Sequence, residues 1–219
     1  KAKEEGYRSR AAYKLMQLNH KYKIIKPGFS VVDIGAAPGG WLEVVSELVG
    51  PRGLGVGVDI VPVKPIGKNV KILEADVLSA EFPSQVLSSL GRGKADVVLA
   101  DMSPKLSGVW DMDHFKQIEL CQRVVDILPS LLGIGGSSVM KAFHGADLDS
   151  LTKRLKNSFE RVEITKPDAS RSESSEVYLV SLNFSGQVPS RSSEDLQKMP
   201  QSEPQSDSGE CGWQSDRLN

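Results

Sequence analysis

Short, nearly pure apolar runs recur through the first 184 residues of this 219-residue chain, and segments of helical periodicity separate most of them. Val31, Val32 and Ile34 form one run; Leu54 to Ile60, Val70 to Ala75, Ala95 to Ala100 and Ser137 to Phe143 form four more. Between the first two, Trp41, Val44, Val45 and Leu48 share one face of a helix over residues 40–49. Further helices are expected near 84–90, over 113–132 and over 147–157, and two closing strands near 159–165 and 176–183. Ahead of them all, Ser9 reads as the cap of a helix carrying Ala12, Leu15, Met16 and Leu18, with Pro27-Gly28 as its stop. Buried strands alternating with helices build an α/β fold: a mostly parallel sheet covered on both faces. In such sheets ligands sit beyond the C-terminal strand ends.

Composition divides the chain. From Ser185 onward, 19 of 35 residues are Ser, Gln, Gly or Pro, and apolar side chains are few. Such a segment cannot offset its ordering entropy, so residues 1–184 are expected to form the domain and 185–219 a disordered tail or short docking peptide. The net charge of −1 hides a basic start: residues 1–26 hold eight basic side chains against two acidic ones. That face suits a polyanion, or is a solvated helix surface. Lys153, Arg154 and Lys156 read as a solvated helix face. No apolar run approaches the roughly 18 residues of a membrane span. No secretory signal is apparent, and Cys121 and Cys211 make no metal-ligand or disulfide pattern. A cytoplasmic monomer without a metal is expected, with further residues preceding Lys1.

The strand ends carry the chemistry. The first strand runs into Asp33-Ile34-Gly35-Ala36-Ala37-Pro38-Gly39-Gly40-Trp41. Small residues there admit a ligand to the backbone. Neither the dinucleotide fingerprint nor a phosphate-loop lysine is present. Carboxylates stand instead: Asp59 ends the second strand, Asp76 follows the third and Asp101 ends the fourth. One such acid is commonly a local turn former. Three at successive strand ends, beside a glycine-rich loop, suit ribose hydroxyls, an exocyclic amine and a cationic centre. S-adenosylmethionine has these groups and no phosphate. Trp41 either packs its helix on the sheet or touches the methionine part of such a ligand.

These segments resemble the FtsJ/RrmJ family of S-adenosylmethionine-dependent ribosomal RNA methyltransferases. The resemblance rests on Gly6 to Leu15, DIGAAPGGW at 33–41, VDIVP at 58–62, DMSP at 101–104, VMKAF at 139–143 and SSEVYLV at 174–180, and spans residues 1–184. It implies a class I methyltransferase (Rossmann-like) sheet of seven strands with the last antiparallel. It also implies transfer of a methyl group to an RNA ribose 2′-hydroxyl, that of a uridine in large-subunit ribosomal RNA in the best-known branch. The family's Lys-Asp-Lys-Glu tetrad falls on Lys14, Asp101, Lys141 and Glu176. Its cofactor contacts fall on Gly39, Trp41, Asp59, Asp76 and Asp101, with Gly35 in the same loop.

A ribose hydroxyl is a weak acid, so the protein must align it with the activated methyl group and take up its proton. A lysine inside Val139-Met140-Lys141-Ala142-Phe143 is costly unless paired. Three roles stay open for Lys141: the base, a protonated group that only steers the hydroxyl, or a structural ion pair with Asp101. Arg8, Arg10, Lys14, Lys21 and Lys23 are candidate RNA phosphate contacts, with Tyr7 and Tyr13 as stacking rings. The alternative readings are a non-catalytic RNA-binding assembly factor and a 2′-O-methyltransferase of transfer or cap RNA. Methylation of a base nitrogen or a protein ranks below them, because Asp101-Met102-Ser103-Pro104 lacks the aromatic residue that amino-methyltransferases place there.

Overall fold

The computed structural model describes residues 7–104, 107–145, 147–171 and 173–188. Seven strands form one sheet: β1 (Ser30–Ile34), β2 (Leu54–Asp59), β3 (Val70–Glu74), β4 (Ala95–Ala100), β5 (Leu132–Phe143), β6 (Phe159–Thr165) and β7 (Glu176–Phe184). Their order is β3-β2-β1-β4-β5-β7-β6. Every pair from β3 to β5 is parallel, and β7 runs antiparallel to both β5 and β6. This is the expected α/β class. The order reverses between β1 and β4, which opens a crevice where the chain leaves these two strands.

Five helices cover the sheet: α1 (Ala11–Tyr22), α2 (Gly40–Val49), α3 (Phe82–Leu90), α4 (Trp110–Leu131) and α5 (Leu148–Lys156). Strand alternation decides which layer each residue joins. Val32, Val98, Met140 and Leu179 pack with α3, α4 and α5. Their neighbours Val31, Val97, Val139 and Tyr178 pack with α1 and α2. Counting on by twos places Asp33, Asp101, Lys141 and Glu176 on the α1 face. Alternation therefore gathers the polar strand-end residues on one side of the sheet.

Several boundaries depart from the sequence reading. Arg10, not Ser9, stands at the N-cap of α1, and no side chain caps that end. Ser9 packs instead on Gly40, where a Cβ would come within 2.1 Å of its Oγ. The helix also stops before Pro27-Gly28. Lys23 turns left-handed at φ 54° and returns its N–H to the Asn19 carbonyl. The Asn19 side chain accepts the Ile25 N–H at 2.8 Å, which sends Ile24 and Ile25 into the core. Helix α4 begins at Trp110, and β5 begins at Leu132, directly after it, with an irregularity opposite Ala95 and Val97.

Arg154 is not part of a solvated face. It is buried and pairs with Asp126 at 2.6 Å, since its turn of α5 faces α4. The sheet ends at Phe184. The expected tail lies outside the described residues from 189 onward. Among the described residues, no helix is long and apolar enough to cross a membrane.

Candidate active site

The loop after β1 owes its shape to its glycines. Gly35 has φ +81°, and a Cβ there would lie 2.7–2.9 Å from Met102, so the loop can pass the end of β4 only without a side chain. Gly39 has φ +111° and caps α2, while the Ala37–Pro38 peptide is cis. Asp59 ties this loop to the next. Its Oδ2 accepts the Ala37 N–H at 2.8 Å and its Oδ1 the Val61 N–H at 2.9 Å. Asp76 accepts the Leu78 N–H at 2.9 Å. Both acids therefore shape their own loops while standing at the strand ends.

Trp41 is buried. Its ring leans on Tyr178 at 5.9 Å, and Nε1 donates to the Ala11 carbonyl at 2.8 Å. It thereby fastens α1 to α2 behind the loop.

The Lys-Asp-Lys-Glu set, whose members span more than 160 residues of sequence, is assembled in space. Lys141 is 5% exposed, and its Nζ lies 3.1 Å from Asp101 Oδ1. The same nitrogen donates to the Asp101 carbonyl at 3.2 Å and to Ser103 Oγ at 2.7 Å. Lys14 Nζ donates to Glu176 Oε2 at 2.7 Å. Tyr178, opposite Lys141 in the β5–β7 register, sits between the pairs. Lys14 Nζ is 5.7 Å from its ring centre, and its hydroxyl makes a long 3.5 Å contact to Asp101 Oδ1.

Burial raises the Asp101 carboxyl above its ordinary range and outweighs the downward pull of Lys141. Burial also works against the Glu176 charge, but the hydrogen bond and charge of Lys14, with Lys141 beyond, hold that carboxyl below its ordinary value. Tyr178 is raised by burial and then by the charges of Asp101 and Glu176, so it stays a neutral phenol.

Two residues that the sequence reading left out complete the site. Ser103 is the closest partner of Lys141, two positions beyond Asp101 in the same DMSP segment. Asp33 is fully buried, and neither carboxylate oxygen has a hydrogen-bond partner. Burial, then the charges of Asp101 and Asp59, push it well above the usual carboxylate range. An acid inside an apolar strand was the available signal.

The candidate RNA contacts divide. Arg8 is engaged: Nε pairs with Glu43 at 2.8 Å, and the guanidinium donates to the carbonyls of Lys64 and Pro65 at 2.8 and 2.7 Å. It thus clamps the segment after β2 beside Gly39. Lys14 belongs to the tetrad. Arg10, Lys21 and Lys23 are exposed, with Lys21 over the Tyr22 ring. Tyr7 and Tyr13 meet edge to face at 5.9 Å. Among the described residues, no cluster of three or more His, Cys, Asp or Glu could hold a metal.

The arrangement, a switch-point loop with carboxylates at its rim and two lysines paired to two acids, can bind a cationic small molecule and hold a hydroxyl for proton transfer. Known proteins resemble the chain in sequence and fold. The family profile described as FtsJ-like methyltransferase matches residues 7–184. A protein named ribosomal RNA large subunit methyltransferase E from Methanothermobacter thermautotrophicus is 44% identical over 186 residues, covering 84% of this chain and 88% of its own. One of the same name from Marinobacter nauticus is 43% identical over 183 residues, with the same two shares. The crystal structure of a protein described as a ribosomal RNA methyltransferase from Plasmodium falciparum superposes with a TM-score of 0.73 at 30% identity, over 83% of this chain and all of that one. Fold and sequence agree: the chain belongs to the FtsJ-like methyltransferase family.

Proposed function

We propose that this chain transfers a methyl group from S-adenosylmethionine to the ribose 2′-hydroxyl of a uridine in large-subunit ribosomal RNA, working in the cytoplasm as a monomer on the ribosomal subunit. The observation that carries the reading is the assembly of Lys14, Asp101, Lys141 and Glu176 at one end of the sheet. A binding factor that only kept the fold would have no need of a lysine buried between two strand ends.

The residues present fit the donor. Asp33, with two unpartnered buried oxygens, lies within electrostatic reach of Asp101 and Asp59, and a cationic ligand relieves that repulsion. Gly35 and Gly39 bring the loop backbone close, Asp59 suits a ribose diol, Asp76 suits the adenine amine, and Trp41 backs the loop. The donor supplies a methyl group already activated by its sulfonium.

The protein's part is placement and proton transfer. Lys141 takes the hydroxyl proton as a neutral amine. Asp101 orients that amine and then stabilises the ammonium. Lys14 and Glu176, a pair without net charge, hold the ribose. A second role for Lys141 is supported by one observation: its Nζ already has three oxygen acceptors within 3.2 Å, the set an ammonium would choose. In that role it steers the hydroxyl without taking the proton.

The test is transfer of isotopically labelled methyl to a panel of undermethylated large subunits, transfer RNA and capped RNA. Label on the subunits alone supports the reading. Label on another RNA moves the substrate, and none on any RNA favours the binding-factor reading.

A further inference from the structure

We propose that Trp110 is a stacking platform for a nucleobase of the RNA substrate, adjoining the nucleotide whose ribose is methylated; the inference rests on the RNA reading above. Trp110 opens α4 and is 51% exposed. Its ring stacks on Phe143 at 5.9 Å and 21° between planes, and on His114 at 5.9 Å and 23°. Such separations mark offset stacking, so much of the indole stays open to solvent.

The platform is built, not incidental. The buried carboxylate of Asp113 accepts the N–H groups of Ser107 and Gly108 at 2.7 and 3.0 Å and the Ser107 hydroxyl at 2.8 Å. These bonds fix the backbone immediately before Trp110. His114, stacked beneath the indole, is largely buried, with its Nε2 3.6 Å from Asp147 Oδ2 and no hydrogen bond to it. A ring fixed in this way loses little freedom when a base lands on it.

Its position names the occupant. Phe143 lies two residues beyond Lys141 on β5, hence on the same face, about 7 Å along the strand. It also stands opposite Glu176 in the β5–β7 register. Past Glu176, a cleft lined by Arg10, Lys14 and Arg171 against Glu173 and Glu176 offers a cationic excess to phosphates. Cations for a backbone and an open ring for a base thus flank the lysine expected to meet the ribose. RNA outside a helix is read in this manner, by stacking unpaired bases on aromatic rings. A protein seated on Trp110 would cover the strand ends that the RNA must reach.

The experiment measures binding of a short single-stranded RNA centred on uridine, and of the same RNA with abasic residues placed one at a time, to the full chain and to Trp110→Ala and Trp110→Phe. The RNA-induced quenching of Trp110 is obtained by difference from Trp110→Phe in a second series. The wild type loses about tenfold in affinity when one flanking base is removed, the scale of a single base–aromatic stack. Trp110→Phe keeps the discrimination; Trp110→Ala, folded by circular dichroism, binds intact and abasic RNA alike and raises the RNA KM about tenfold with a smaller change in kcat. Equal affinity of wild type and Trp110→Ala for intact RNA overturns the proposal. So does burial of Trp110 that grows with protein concentration without RNA, which would assign the face to self-association. A wild type that methylates RNA while ignoring Trp110→Ala sinks the platform and leaves the methyltransferase reading standing. Base discrimination through Trp110 without any methyl transfer does the reverse.

Discussion

Lys141 Nζ lies 3.1 Å from Asp101 Oδ1, in a setting where burial has raised the carboxyl and left the lysine side chain only 6% exposed. A pair in that state resists being broken. Removing one partner strands the other in a poor solvent, at a cost of about 3–5 kcal/mol. As the base, Lys141 acts only as the neutral amine, so the methylation rate rises with pH. In Asp101→Asn that rise comes at lower pH, because the variant lacks a carboxylate that favours the ammonium. A pH–rate profile of single-turnover transfer checks this. A rate independent of pH leaves Lys141 only the steering role.

Ser103 Oγ, 2.7 Å from Lys141 Nζ, sets the direction of the amine. Ser103→Ala should lower kcat about tenfold, the scale of one hydrogen bond to a charged group. The RNA KM should change less than kcat. Steady-state kinetics on undermethylated subunits measures both, and a variant with wild-type kcat removes Ser103 from the site.

Lys14 and Glu176 form one unit across the 2.7 Å contact. Lys14→Ala and Glu176→Ala should each reduce kcat/KM by more than tenfold, and the double variant by much less than the product. A double-mutant cycle on kcat/KM reads the coupling. Additive losses would mean that the two side chains act independently.

Asp33 makes a prediction about stability. Its carboxyl is raised in the folded state, so folded protein holds the proton more tightly than unfolded protein does. The penalty for ionisation is absent below the ordinary carboxylate range and grows as pH rises above it. Asp33→Asn should therefore raise the Tm of the cofactor-free protein at pH 8, with the gain shrinking towards pH 4.5. Thermal denaturation at both pH values decides. A gain that is larger in acid reverses the sign and contradicts the account.

The sheet was legible because its central strands are buried on both faces and read as nearly continuous apolar runs, such as Val31 to Ile34 and Ala95 to Ala100, each interrupted by a single acid. Boundaries were less so, since tertiary partners set them. Ser9 looked like a cap but packs on Gly40, a neighbour 31 residues away. The glycine-rich start of β5, Leu132 to Gly136, resembles a loop and pairs only irregularly with β4. Within the site, Lys14, Asp101, Lys141 and Glu176 emerged through the family resemblance, and the structure brings all four together. Asp33 shows in the sequence only as an acid inside an apolar strand and Ser103 only as a serine in a loop, and both acquire their meaning from what surrounds them. Periodicity starts the fourth helix at residue 113, short of Trp110, and its stacking on Phe143 arises only from the fold.

The most direct test of the central claim locates the methyl group. Large subunits labelled with the wild-type chain are digested with alkali, which cleaves RNA at every free 2′-hydroxyl, and Lys141→Ala is run in parallel. The account predicts that the label sits in one alkali-resistant dinucleotide and falls at least about 10³-fold in the variant, within the range of general-base catalysis. Label released in a mononucleotide, or retained in full by Lys141→Ala, would contradict it.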